Sequence, residues 1–330
     1  MRWADVLSEV LDELWFSRAG SWVRDALRTA LGLLSPTWCS GCGEQDTVLC
    51  AECAQDLHLL TRSPFAAERQ ALALPLIYPE DIAVVADVEV GEDGEISEVA
   101  QDGERDLAES LGSITVLPVT AAARYAGLAS RVLLAYKDHA AIGLSVFLAP
   151  GMIRSVHEAL ERVGFPDARA PGAEPVRWVL LGPPSSLRSR LSRGFDPLQR
   201  LFCHGPPGSA AEVRHGDLRL KYLTGVLRQS PVTALRSLNP RGGKQKSRGA
   251  LARRRELSGA FQVTKRGRQL LAGADVVLVD DVLTSGSTLA ELYRVSQQAG
   301  GRVHAAAVLA AAPSPGSGEE FPLVSASPEA

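Results

Sequence analysis

Aromatic side chains are scarce in this chain, 5% of its residues, and no run of eighteen apolar residues occurs anywhere in it. The second absence excludes an ordinary membrane-spanning helix. Gly-Lys-Ser and Gly-Lys-Thr are both missing, so there is no Walker A loop. The most apolar strand candidate is not followed by G-x-G-x-x-G, which excludes a dinucleotide fingerprint there. The opening stretch lacks the uninterrupted apolar segment of a secretory signal, because Asp5, Glu9, Asp12 and Glu13 break it. A cytoplasmic location is the expectation that follows.

What is present fits a globular protein of 330 residues, with 45% apolar and 22% charged side chains. That length accommodates one large domain and a small accessory one. The net charge of −3 hides an asymmetry. Between Glu80 and Glu109 there are twelve acidic residues against Arg105 alone; between Arg228 and Arg268 there are twelve basic residues against Glu256 alone. Such blocks can be solvated faces, and the basic one also suits a phosphate-bearing partner. At the N-terminus, Trp3, Val6, Leu7, Val10, Leu11 and Leu14 recur at helical spacing, predicting amphipathic helices within 1–34 that pack on a core or a partner.

Four of the five cysteines lie close together in "PTWCSGCGEQDTVLCAECAQDL". Cys39 with Cys42, and Cys50 with Cys53, form two C-x-x-C turns, and Gly41 and Gly43 leave the backbone room to fold back. Two such turns supply a tetrahedral sulfur site, for which softness and geometry favour zinc over disulfides or a redox pair. A closed four-sulfur site has no open position for a substrate, so the metal would be structural. The fifth, Cys203 beside His204, reads as an ordinary core or loop cysteine, since adjacency in sequence is not the geometry of a nucleophile and its base.

Downstream, "IAVVADVEV" (Ile82–Val90) and "GSITVLPV" (Gly112–Val119) are short strand candidates. "GLASRVLLAYKDHA" predicts a helix, and "LSVFLAPGMIRSVHEALERVG" a longer one with a break at Pro150 and Gly151. "PVRWVLLGPP", "AGADVVLVDDV" and "GRVHAAAVLAAA" read as buried strands, with the helix "STLAELYRVSQQAG" between the last two. Continuous apolar strands alternating with helices predict an α/β fold, a parallel sheet covered on both faces. The organisation expected is amphipathic helices in 1–34, a cysteine module in 35–62, an acidic insert or hairpin in 63–120, the α/β domain in 121–312 and a disordered tail in 313–330.

The stretch "VVLVDDVLTSGST" poses a chemical question: why would a buried strand end in two adjacent carboxylates with no lysine in the loop beyond? Ligands of an open parallel sheet bind past the carboxyl ends of its strands, where Asp280 and Asp281 fall. Paired carboxylates there can accept hydrogen bonds from neighbouring sugar hydroxyls. Thr284, Ser285, Gly286, Ser287 and Thr288 offer small side chains and backbone N–H groups that open onto a helix N-terminus, a nest for a phosphate. Together these describe a site for ribose 5-phosphate.

This stretch resembles the phosphoribosyl pyrophosphate (PRPP) motif of type I phosphoribosyltransferases. The resemblance implies that fold for the sheet, Asp280 and Asp281 on the ribose hydroxyls, residues 284–288 around the 5-phosphate, and Mg2+ arriving with the pyrophosphate. The order of a four-cysteine module, "YKDHA", "GPPSSLRSRLSRGF" and the PRPP loop is similar to the ComF/GntX family, whose ComF members are implicated in DNA uptake during competence. That resemblance implies a structural Zn2+ on Cys39, Cys42, Cys50 and Cys53. It also implies a pyrophosphate loop of Gly182, Pro183, Pro184 and Ser185, with Arg188, Arg190 and Arg193 adding positive charge. On the basic loop that follows, Lys244, Lys246 and Arg248 would stabilise charge during transfer from PRPP. The sequence departs from the family pattern at Gly182, at Asp196-Pro197 where the family has Asn-Gln, and at Glu256 in place of Asn. These departures leave three functions open: a phosphoribosyltransferase, a non-catalytic adaptor for single-stranded DNA or competence proteins built on the same fold, or a sensor that binds a phosphoribosyl ligand. Only Tyr222 and Phe261 offer aromatic stacking near the basic stretch, few for a single-strand binder.

Overall fold

The computed structural model describes residues 37–77, 115–138, 141–164, 177–185, 195–203, 211–216, 218–230 and 259–313. Outside them lie the helices expected in 1–34, the candidate strand Ile82–Val90 and the tail beyond Pro313. The strands are β1 (Phe65–Ala66), β2 (Leu76–Ile77), β3 (Thr115–Val116), β4 (Val119–Arg124), β5 (Trp178–Leu181), β6 (Glu212–His215), β7 (Leu218–Tyr222), β8 (Leu227–Gln229), β9 (Phe261–Val263), β10 (Asp275–Leu283) and β11 (Arg302–Ala311). The α-helices are α1 (Ala51–Thr61), α2 (Gly127–Asp138), α3 (Ser145–Val163), α4 (Pro197–Phe202), α5 (Lys265–Leu271) and α6 (Ser287–Gln298).

Seven strands form one sheet in the order β1-β4-β11-β10-β5-β7-β6. The central five run parallel, and β1 and β6 pair antiparallel at the edges. This is the α/β architecture expected, with the four-cysteine cluster beside it. Buried on both faces, its strands need apolar residues at successive positions rather than alternate ones. Along β10, Val277 and Val279 enter one apolar cluster while Val276 and Leu278 enter the other. The first cluster lies under α1, α2, α3 and α4; the second lies under α5, α6 and residues 67–77. Ala305 and Ala307 on β11, with Ala123 on β4, all in the first cluster, keep the sheet surface low where α3 crosses it.

Two expectations are corrected. α3 runs unbroken from Ser145 to Val163 through Pro150. The proline removes one backbone bond in the second turn, and the carbonyl left without it belongs to Val146, an exposed residue that water reaches. Gly151 is a contact point instead of a break: a Cβ there would lie 3.1 Å from the Thr61 Cβ on α1. The strand expected over Gly112–Val119 is divided, with β3 ending at Val116 and β4 starting at Val119 and running on to Arg124. Pro118 between them cannot donate to a ladder, and its carbonyl accepts from Ala306 N–H at 2.8 Å. β3 pairs antiparallel with β2, so the two flanks of segment 78–114 meet.

Candidate functional site

The four cysteines converge as their spacing predicts. Each Sγ of Cys39, Cys42, Cys50 and Cys53 lies within 4.8 Å of the others, and Cys42 and Cys50 are 3.7 Å apart. A tetrahedral zinc shell with Zn–S of about 2.3 Å has sulfur–sulfur edges of about 3.8 Å, so the set fits a zinc ion. Gly41 is required here, because a Cβ would fall 2.5 Å from Cys53 Sγ and 2.7 Å from Leu128. Gly43 turns the first knuckle at φ +85°, and Cys50 and Cys53 sit at the start of α1. Burial opposes ionisation of Cys39, but N–H groups of Cys42, Cys50 and Gly41 outweigh it and bring the thiol down to about 6. Burial and the neighbouring sulfurs push Cys53 up. Sulfurs this close cannot all ionise unless a cation sits among them. The module is part of the main core: Cys39, Leu49, Cys53 and Leu57 join the first apolar cluster, and Arg131 of α2 donates to the Gly41 carbonyl at 3.0 Å.

The second constellation is at the tip of β10. β5 stays paired with β10 only as far as Leu181 opposite Leu278, whereas β11 accompanies it to Leu283. Asp280 and Asp281 therefore emerge just past the point where β5 gives way to the Gly182–Ser185 turn. Asp280 is 8% exposed. Burial, and then the charge of Asp281, push its carboxyl up to about 8, although Lys137 pulls the other way. Its Oδ1 accepts from Asp281 N–H at 2.8 Å. Asp281 is more open, and its Oδ2 accepts from Lys137 Nζ at 2.8 Å. Burial disfavours the Lys137 ammonium, but the adjacent Asp281 carboxylate more than offsets this and holds the group above its ordinary range.

Residues 284–288 form the expected loop onto a helix. Gly286 takes φ +82° immediately before α6, which has no side-chain cap and no acid in its first turn. The Ser285 and Ser287 hydroxyls are 2.9 Å apart, and the loop is held from behind by Ala73 N–H, which donates to the Ser285 carbonyl at 2.9 Å. Ser287 N–H donates to Ser285 Oγ at a long 3.4 Å, and first-turn amides without such an oxygen are available to an anion. A Cβ on Gly286 would lie 2.9 Å from Leu74 Cδ2 and 3.2 Å from Ala71 Cβ, so the glycine meets both a backbone and a packing demand.

The opposite rim accounts for Gly182 and for the Asp196-Pro197 pair. Asp196 caps α4, with Oδ1 accepting from Gln199 N–H at 3.1 Å, and Pro197 occupies the first turn, where a missing N–H costs nothing. Asp196 Oδ2 also accepts from Ser185 Oγ at 2.7 Å, tying the Gly182–Ser185 turn to α4. At Gly182 a Cβ would fall 2.7 Å from the Tyr222 hydroxyl, so the buried Tyr222, stacked on Phe202, fills the space a side chain would need. Tyr136 donates to the Pro197 carbonyl at 2.8 Å and anchors the end of α2 on the same rim.

Arg188, Arg190, Arg193, Lys244, Lys246 and Arg248 lie outside the described residues, as does Glu256. Tyr222 and Phe261 are both buried, which removes them as surfaces on which a base could stack. Cys203 is half-buried, and burial first of all pushes its thiol up, against a nucleophilic role. Sequence reasoning did not assign Lys137; the segment "YKDHA" was the signal, but nothing local indicated that this lysine meets Asp281. No protein-family model matches the chain, and no curated protein matches it either.

Proposed function

We propose that this chain is a phosphoribosyltransferase-like protein of the ComF kind that binds PRPP or a related ribose 5-phosphate ligand. The observation behind this reading is the meeting, at one strand tip, of an acid pair with an uncapped helix N-terminus wrapped by Thr284, Ser285, Gly286, Ser287 and Thr288. Asp281 faces the ligand's hydroxyls with an oxygen not used by Lys137, and the α6 amides take the 5-phosphate. Mg2+, arriving with the pyrophosphate, would offset part of its charge. The Gly182–Ser185 turn is the pyrophosphate loop, with Arg188, Arg190 and Arg193 beyond it. In a transfer reaction the C1–oxygen bond to pyrophosphate breaks and the acceptor's lone pair forms the new bond, with Lys244, Lys246 and Arg248 balancing the departing charge. Zn2+ on the four cysteines has a structural part only. The link to DNA uptake rests on the resemblance alone.

Calorimetric titration of PRPP with Mg2+ tests the reading. The unaltered protein is expected to bind, and the double variant Asp280→Asn/Asp281→Asn to bind much more weakly. No binding by the unaltered protein, or equal binding by both, overturns it. Pyrophosphate release across a panel of bases then separates an enzyme from a binder.

A further inference from the structure

Two groups that attract anions approach the tip of β10 from opposite faces of the sheet. One is the N-terminus of α6, a helix packed in the second apolar cluster through Leu289, Leu292 and Val295. The other is Lys137 on α2, a helix packed in the first cluster through Val132, Leu133 and Tyr136. Asp280 and Asp281 lie between them. The lysine is held in place: Tyr136 beside it is fully buried and bonded to Pro197, so the end of α2 cannot swing away. Lys137 Nζ gives one N–H to Asp281, and its other two have no acceptor among the described residues, while its side chain stays 30% exposed. An ion pair that served stability alone would gain little from this arrangement, because desolvating the two charges costs about as much as their attraction returns. A lysine with unused donors, fixed on the far side of the acid pair from a phosphate nest, is suited to a second anionic group.

We propose that Lys137 binds a second anionic group of the ligand, so that the site selects a ribose phosphorylated at both ends over one carrying the 5-phosphate alone. This inference rests on the ribosyl phosphate reading above and adds a specificity-determining residue to it. Asp281 keeps the ammonium in position before the ligand arrives; the two free N–H groups then donate to the ligand's anionic oxygens, charge-assisted bonds of the stronger kind.

The test is calorimetry of the full chain and its Lys137→Met, Lys137→Gln and Lys137→Arg variants with PRPP plus Mg2+ and, separately, with ribose 5-phosphate. The neutral variants are expected to lose about 10- to 100-fold in affinity for PRPP. Their affinity for ribose 5-phosphate is expected to change by less than about 3-fold, within a few tenths of a tenfold step, and this retained binding also reports that they fold. Lys137→Arg should recover most of the PRPP affinity. Equal losses for both ligands would overturn the inference, since Lys137 would then only steady Asp281; so would unchanged PRPP binding. If the unaltered protein binds neither ligand, the ribosyl reading itself falls and takes this one with it, a pattern distinct from either of the others.

Discussion

Replacing Asp280 by Asn should stabilise the ligand-free protein at alkaline pH while impairing its binding site. The carboxyl is buried beside Asp281, and its folded-state value is raised from 3.8 to about 8. A raised carboxyl means that the folded state holds a proton the unfolded chain has already lost. Between about pH 4 and pH 8 the folded protein thus binds more protons than the unfolded one, and stability falls as pH rises through that window. At 1.36 kcal/mol per unit the shift corresponds to a ceiling of roughly 6 kcal/mol above pH 8. Adjustment of the Asp281 and Lys137 charges reduces what a variant recovers to about 2–4 kcal/mol. Asparagine keeps the oxygen that accepts from Asp281 N–H, so little else is lost. Urea denaturation at pH 5, 7 and 9 is the assay. Asp280→Asn should already be somewhat more stable than the unaltered protein at pH 5, the two converging only near pH 4, and should exceed it progressively more towards pH 9, with a flatter dependence on pH. A variant less stable at every pH, or one with a constant offset, would refute the reasoning and make Asp280 an ordinary structural hydrogen-bonding residue. Stabilisation on removing a buried charge, coupled to loss of ligand binding, is the signature of a residue retained for function.

The loop and the cysteine module yield further expectations. Gly286→Ala must adopt φ +82° and approach Leu74, costing about 1–3 kcal/mol. Leu74→Ala alone should cost about 2–4 kcal/mol, and denaturation of the double variant should show a smaller loss than the two combined, by about 1 kcal/mol; strict additivity would show that Leu74 does not confine the loop. The purified protein should contain one zinc per chain by elemental analysis, and chelation should lower its melting temperature, because Cys39 and Cys53 belong to the same core as α2 and α3. Gly41→Ala should weaken metal retention, since the added methyl meets the Cys53 sulfur.

The parts of this protein legible in its sequence are those set by local chemistry. Two C-x-x-C turns must bring sulfurs together whatever surrounds them, and an apolar run such as Val276–Val279 must be buried on both faces. Gly286 before a helix sets the local turn onto its N-terminus, so the strand, the acid pair and the loop could be read directly. β6, β7, β8 and β9 could not: each is five residues or shorter and interrupted by polar or charged side chains, and gains strand geometry only from the partner it pairs with. Pro150 misled for a related reason, since a break is a local preference that packing along a 19-residue helix overrides.

Asp196-Pro197 looked like a loss relative to the family pattern, and only the fold shows it capping α4 and tethering Ser185. Lys137 and Asp281 stand far apart in the chain, and their 2.8 Å contact exists because α2 and β10 pack in one core. The sequence by itself determined which cysteines can hold a metal and which acids and small residues gather at the end of β10, because bonding capacity belongs to residue types and short spacings. Tertiary structure alone decided which of the two carboxylates is buried, which cation neutralises the other and what supports the loop from behind, because burial and electrostatic pairing depend on neighbours that the chain brings together only when it folds.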